Sequence, residues 1–186
     1  MRKIILQEFV TIDGFAADPN GKMDFVQDYA ARQDESFQKD AERFLDTLDT
    51  MILGANTYKM FVEYWPEATE EGAFARKLNS LSKYVVSSTI ESAPWGDWEG
   101  AEIIGNSPDK KITTLKQKPG KDMVVWGSIS LAQSLMKKEI VDEIQLRVCP
   151  TVLGSGKRLF ANNFPMELLE AKAYDEGLVL LRYKPN

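Results

Sequence analysis

Met51-Ile52-Leu53-Gly54-Ala55-Asn56-Thr57 passes from an apolar run to a glycine and then to residues that open a helix. Val85-Val86-Ser87-Ser88-Thr89 and Val124-Val125-Trp126-Gly127-Ser128-Ile129-Ser130 repeat the pattern: an apolar run ends at Ser or Gly and gives way to a helix start or a loop. Strands of a parallel sheet are covered on both faces, so they read as continuous apolar runs. In an open α/β sheet, ligands bind outside the carboxyl ends of such strands. Glycine lets a ligand approach the backbone closely. The first helical turn offers unpaired N–H groups and the positive end of the helix dipole, which suit phosphate. Taken singly, each corner is also how any α/β protein turns, and no G-x-G-x-x-G is present. Three such corners together point to one ligand-binding edge.

The rest of the chain fits around these corners. Lys3 to Ile12 is apolar and β-rich and reads as a first strand. Phe37, Ala41, Phe44, Leu45 and Leu48 recur at helical spacing, which predicts an amphipathic helix from Glu35 to Asp49 capped by Asp34 or Ser36. Asn56 reads as the N-cap of the next helix, and Glu70 to Asn79 as another. Pro94 to Gly100 reads as loop, and Asp109 to Gln117 and Ser128 to Lys138 as helices. Glu143 to Val148 alternates as a strand, and Met166 to Asp175 with Leu178 to Tyr183 flank Glu176-Gly177 as a closing hairpin. Strand and helix alternate several times, and strands alone follow. The expected fold class is α/β, one domain over residues 1–186, with a mostly parallel central sheet flanked by helices and an antiparallel C-terminal hairpin.

Composition excludes several functions. Histidine is absent, which removes Ser-His-Asp and Cys-His catalysis, histidine acid–base chemistry and histidine metal sites, so no metal is expected. The net charge is −5, so no nucleic-acid partner is expected. No apolar run approaches the ~20 residues of a membrane span. The single cysteine, Cys149, lies in the apolar run Ile144 to Val152 and reads as a buried, inert thiol. Its solitude fits a reducing compartment, the cytoplasm.

Met51 to Tyr58, Val85 to Thr89 and Val124 to Ser130 resemble, in order and spacing, the cofactor-binding corners of dihydrofolate reductases. A closer resemblance is to the reductase domain of the riboflavin-biosynthesis deaminase–reductase and its small stand-alone relatives. It is carried by Thr11-Ile12-Asp13-Gly14-Phe15, Gly127-Ser128, Val141-Asp142-Glu143-Ile144-Gln145-Leu146 and the run Pro150 to Phe160, Pro-Thr-Val-Leu-Gly-Ser-Gly-Lys-Arg-Leu-Phe. That last run is the most specific, and the likeness spans nearly the whole chain.

This resemblance implies a dihydrofolate reductase-like fold, NADPH as cofactor, a homodimer, and hydride delivery to a small heterocyclic or carbonyl substrate. It places the nicotinamide near Thr11 and Gly14 and the adenosine end over Gly54, Asn56, Thr57, Tyr58, Ser87, Ser88 and Thr89. The pyrophosphate falls on Gly127, Ser128, Ile129 and Ser130. Asp13 is the candidate catalytic and substrate-contacting carboxylate, although an Asp-Gly turn explains it equally. Trp126, Lys157 and Arg158 are the other candidate substrate contacts. Gly154-Ser155-Gly156-Lys157 lacks the spacing of a phosphate loop. Two features depart from the relatives. Ala55 stands where they place an arginine for the 2′-phosphate, which leaves NADH beside NADPH and Lys59 or Arg76 as substitute cations. No acid aligns with the pterin-binding carboxylate, and Asp24, Asp28, Asp34 and Glu35 read as a solvated helix face. The rival reading is a catalytically silent, nucleotide-binding dimeric relative.

Overall fold

Eight strands form one sheet in a computed structural model that describes residues 1–30, 32 and 34–186. In chain order the strands are β1 Ile4–Thr11, β2 Phe15–Ala17, β3 Leu48–Gly54, β4 Ser82–Val86, β5 Glu102–Ile104, β6 Asp122–Val125, β7 Glu143–Cys149, β8 Lys157–Arg158, β9 Met166–Ala173 and β10 Val179–Pro185. The helices are α1 Asp24–Ala30, α2 Glu35–Asp46, α3 Ala55–Tyr64, α4 Gly72–Ser80, α5 Pro108–Gln117 and α6 Ile129–Lys137. The sheet order is β5-β4-β3-β6-β1-β7-β10-β9, while β2 and β8 pair separately. Neighbours from β5 to β7 are parallel, and β10 is antiparallel to both β7 and β9. The C-terminal hairpin therefore closes a mostly parallel sheet, as the sequence predicts.

Strand residues alternate between two cores because successive side chains point to opposite faces. Ile4, Leu6, Ile52, Met123 and Val125 pack with Ile112, Leu115, Leu131 and Leu135 of α5 and α6. Ile5, Met51, Leu53, Val85 and Val124 pack on the other face with Leu45, Tyr58 and Leu78 of α2, α3 and α4. Trp95, in the stretch read as loop, lies wholly inside that second core, and its indole N–H donates to Asn79 Oδ1 at 2.7 Å. A third cluster joins Phe25, Tyr29, Cys149, Tyr174 and Leu178, with Phe9 and Phe37 against it. Cys149 is buried there, and burial pushes its thiol up to about 12.

Local differences have local causes. Helix α2 stops at Asp46 rather than Asp49, because Leu48 already belongs to β3 and is buried. Helix α3 begins at Ala55 with Gly54 as its N-cap, so Asn56 is an exposed first-turn residue and not the cap. Asp34 is the cap of α2, but it is not part of a solvated face. It is buried, and it accepts bonds from the amides of Phe37 and Glu176, the Ser36 hydroxyl and the Tyr29 hydroxyl. Burial acts to raise its pKa, but these four donors outweigh it and hold the carboxyl at about 2.

Candidate active site

The strand ends singled out in the sequence become neighbours. Parallel pairing sets Ser87, Gly54 and Gly127 side by side at the carboxyl ends of β4, β3 and β6, level with Glu8 of β1, while β1 runs on beside β7 to Thr11 and Asp13. The Gly54 amide donates to the Gly127 carbonyl at 2.8 Å, which stitches the β3 and β6 corners together. Their glycines serve each other as much as a ligand. A Cβ on Gly54 would meet Ser128 N at 2.7 Å, and one on Gly127, where φ is +60°, would meet Thr57 Oγ1 at 2.5 Å. The Gly127–Ser128 peptide is cis.

Two helices start at this edge, α3 after Gly54 and α6 after Ser128. Neither has an acid in its first turn, whereas α1, α2 and α5 carry Asp24, Glu35 and Asp109 there. Both ends therefore keep their positive dipole uncompensated, and Asn56, Thr57, Ser128 and Ser130 add side-chain donors. Ser128 caps α6 through Leu131 N, and its hydroxyl meets that of Ser130 at 2.9 Å. This donor set fits the phosphates of a dinucleotide. At β4, Ser87 Oγ is committed to the amides of Thr89 and Ile90, so Ser88 and Thr89 are the exposed members of that corner.

Other predicted residues have different work. Tyr58 is 5% exposed and packs near Trp95, and its hydroxyl donates to the Pro94 carbonyl at 2.7 Å. It points into the core, not onto the edge, because helical spacing turns position 58 inward. Thr11 is buried; its hydroxyl donates to Asp13 Oδ1 at 2.6 Å and accepts from Phe15 N. Asp13 also accepts from Leu153 N and, at 2.7 Å, from Gly154 N. The Thr11 hydroxyl and these amides hold the Asp13 carboxyl below the ordinary carboxylate range. It is an ionised clamp on the 150–160 run and has no proton to give near neutral pH, so any catalytic part for it is that of an anion. The same clamp, with β2–β8 pairing, brings exposed Arg158 beside Gly14, where φ is +81°, and exposed Lys157 beside Ala17 and Gly21. Arg158 lies over the Phe15 ring at 4.7 Å.

Two adjacent residues of β1 escape sequence reasoning. Glu8 is 8% exposed and accepts the Gly127 amide at 2.7 Å. Burial pushes its carboxyl up to about 8 against the lowering effect of that amide, so it is mostly protonated at pH 7. Gln7 points to the opposite face. Trp126 Nε1 donates to Gln7 Oε1 at 2.9 Å, Gln7 Nε2 to Gln145 Oε1 at 2.7 Å, and Gln145 Nε2 to Glu143 Oε1 at 2.9 Å. This ladder lines a cleft of about 310 Å³ between α2 and strands β1, β7 and β10. The signal was there to read: polar Gln7-Glu8 interrupts an apolar strand, and buried polar groups are nearly always partnered.

A mostly parallel sheet with an antiparallel C-terminal hairpin and a donor-lined carboxyl edge defines a dihydrofolate reductase-like α/β protein. Residues 2–180 match the RibD C-terminal domain, and the chain belongs to that family. It is 29% identical to the uncharacterized protein YyaP of Bacillus subtilis, covering 100% of this chain and 96% of that one. Among solved structures, a protein from Shewanella sp. PV-4 named for riboflavin biosynthesis superposes with a TM-score of 0.73 at 19% identity over 99% of both chains. The diaminohydroxyphosphoribosylaminopyrimidine deaminase/5-amino-6-(5-phosphoribosylamino)uracil reductase of Thermotoga maritima gives 0.71 at 13% identity, over 100% of this chain and 57% of that one. Dihydrofolate reductase from Enterococcus faecalis, complexed with NADP(H), gives 0.58 at 11% identity over 99% and 96%.

Proposed function

We propose that the chain is an NAD(P)H-dependent reductase acting on a small heterocyclic or carbonyl compound. One observation carries the reading. Three neighbouring strand ends, Ser87, Gly54 and Gly127, with Glu8 of β1 level beside them, place two acid-free helix N-termini on one edge. Bound there, the nicotinamide supplies the hydride. The first turns of α3 and α6 and the Ser128 and Ser130 hydroxyls hold the phosphates, and Ser88 and Thr89 face the adenosine end. Thr11 and Gly14 shape the nicotinamide end through the β1–β2 turn. Trp126, fixed by Gln7, walls the acceptor side, with Lys157 and Arg158 across the β1 end. Glu8 is the carboxyl that holds a proton next to Gly127, and Asp13 keeps the substrate contact as an anion. NADPH is the expected cofactor from the family resemblance, with NADH beside it because of Ala55. The protein acts as a homodimer through β9, an outer strand that exposes Leu168 and Leu169 by 54% and 46%. It is expected in the cytoplasm, with no nucleic-acid partner; among the described residues no helix is long and apolar enough to cross a membrane.

Thermal-shift titration with NADPH and with NADH tests this. A ligand at 100 times its Kd stabilises by about 2.7 kcal/mol. Absence of stabilisation by either dinucleotide refutes the reading, and stabilisation by NADH alone shows that Ala55 removes the 2′-phosphate site.

A further inference from the structure

The cleft beneath α2 contains one cation that no carboxylate balances. Its acids all have partners other than Arg147, Asp122 through the Lys3 amide at 2.7 Å and the rest through ion pairs. Asp40 meets Lys172 and Arg43, Glu143 meets Lys3 and Arg182, and Glu170 meets Arg182. Arg147, on the same face of β7 as Glu143 and Gln145, has no hydrogen bond or ion pair among the described residues. Its guanidinium lies 5.1 Å from the Phe9 ring centre and 4.8 Å from that of Phe37. Among the described residues, no side-chain nitrogen is sealed from solvent without a partner. The guanidinium therefore opens onto the cleft. Its deprotonation is made easier by burial, and its pKa falls to about 10, so it is still charged at neutral pH.

The two ring faces hold the cation by π contacts, but its N–H donors, open to the cleft, have no hydrogen-bond partner among the described residues. We infer that Arg147 and the Gln7–Gln145 ladder form a binding site for a small, planar monocarboxylate. The lining carries as many acids as cations, so a guanidinium without an ion pair has room for one negative charge at most, and its fork matches a carboxylate with two parallel N–H donors. A phosphate dianion would meet Asp40, Asp122, Glu143 and Glu170 around it, with Arg147 the one cation free of an ion pair among the described lining residues. Gln7 and Gln145 each use one N–H in the ladder and keep a second for the ligand. Phe37 and Phe44 line the cleft and suit a flat ring or conjugated group. A volume of about 310 Å³ lies at the small end of ligand pockets. The ladder leads from this site to Trp126, next to Gly127, so the carboxylate is a handle on the hydride acceptor; that role, unlike the binding itself, rests on the reductase reading.

Calorimetric titration of the full chain with benzoate, benzamide and inorganic phosphate, each alone, tests the site. Benzoate is expected to bind saturably, with benzamide weaker by about tenfold or more because it lacks the charge. Arg147→Met is expected to lose benzoate binding by a similar factor, and Arg147→Lys to restore part of it. Equal binding of benzoate and benzamide, tighter binding of phosphate than of benzoate, no saturable benzoate binding, or an unaltered R147M affinity each overturns the inference. The comparison on the unsubstituted protein decides the matter even if R147M fails to fold. NADPH-induced stabilisation is read in parallel on the same protein. Benzoate binding without it supports the carboxylate site and overturns the reductase reading. NADPH stabilisation without benzoate binding overturns the carboxylate site alone.

Discussion

Replacing Glu8 by Gln keeps an oxygen that accepts the Gly127 amide and removes the group that must ionise. In the folded chain burial raises the Glu8 pKa from 4.5 to about 8. Below pH 4.5 both folded and unfolded chains carry the proton, and Glu8 adds no pH dependence. Between 4.5 and about 8 the unfolded chain ionises while the folded one does not, so wild-type stability falls as pH rises. Above about 8 the folded chain ionises too, and the loss stops growing. At 1.36 kcal/mol for each pH unit, the interval from 4.5 to about 8 amounts to roughly 4–5 kcal/mol at full extent and about 3 kcal/mol at pH 7. Urea unfolding of wild type and E8Q at pH 4, 5.5, 7 and 9, with the m-value checked for constancy, measures the difference directly. Other titrating groups cancel in the comparison. The stability gap, E8Q minus wild type, should widen toward the alkaline side and flatten above about pH 8. A gap that stays constant to within about 0.5 kcal/mol from pH 4 to 9 shows that Glu8 titrates normally, and the reasoning fails.

Gly54→Ala places a methyl 2.7 Å from the Ser128 amide. It should cost about 1–3 kcal/mol by denaturant unfolding and weaken NADPH stabilisation, since both corners must shift. Asp34→Ala removes the α2 cap and the tie to Glu176, at an expected cost of about 1–2 kcal/mol by thermal unfolding. Ala55→Arg should raise the preference for NADPH over NADH, read as the ratio of their Kd values. Leu168→Lys combined with Leu169→Glu should give a monomer by light scattering if the exposed β9 face joins two copies. Cys149, with its thiol raised to about 12, should react with a thiol reagent only after denaturation.

Function was legible in the sequence where it depended on local pattern. The corners at Gly54, Ser87 and Gly127 announced themselves by an apolar run meeting a glycine or serine, and the structure puts all three on one edge. Spacing from the corner sets Tyr58 beside the ligand edge but does not say which way a helix turns its residues, and α3 turns this one into the core beside Trp95. Nothing local in the sequence marks Asp13 as an ionised clamp, because its amide donors, Leu153 and Gly154, arrive from a segment about 140 residues away. Glu8 and Gln7 passed as ordinary strand residues for the same reason. Their partners, Gly127, Trp126 and Gln145, come from β6–α6 and β7.

By itself the sequence determined the class of fold, because helical and strand periods are properties of a few neighbouring residues. It also determined that no histidine is present to carry acid–base chemistry. Only the tertiary structure decided which strand ends are adjacent. It also decided which carboxyl keeps its proton and which arginine is left without a counter-charge. Those depend on burial and on the distance between groups far apart in the chain, and on those distances electrostatic energies in a low-dielectric interior turn.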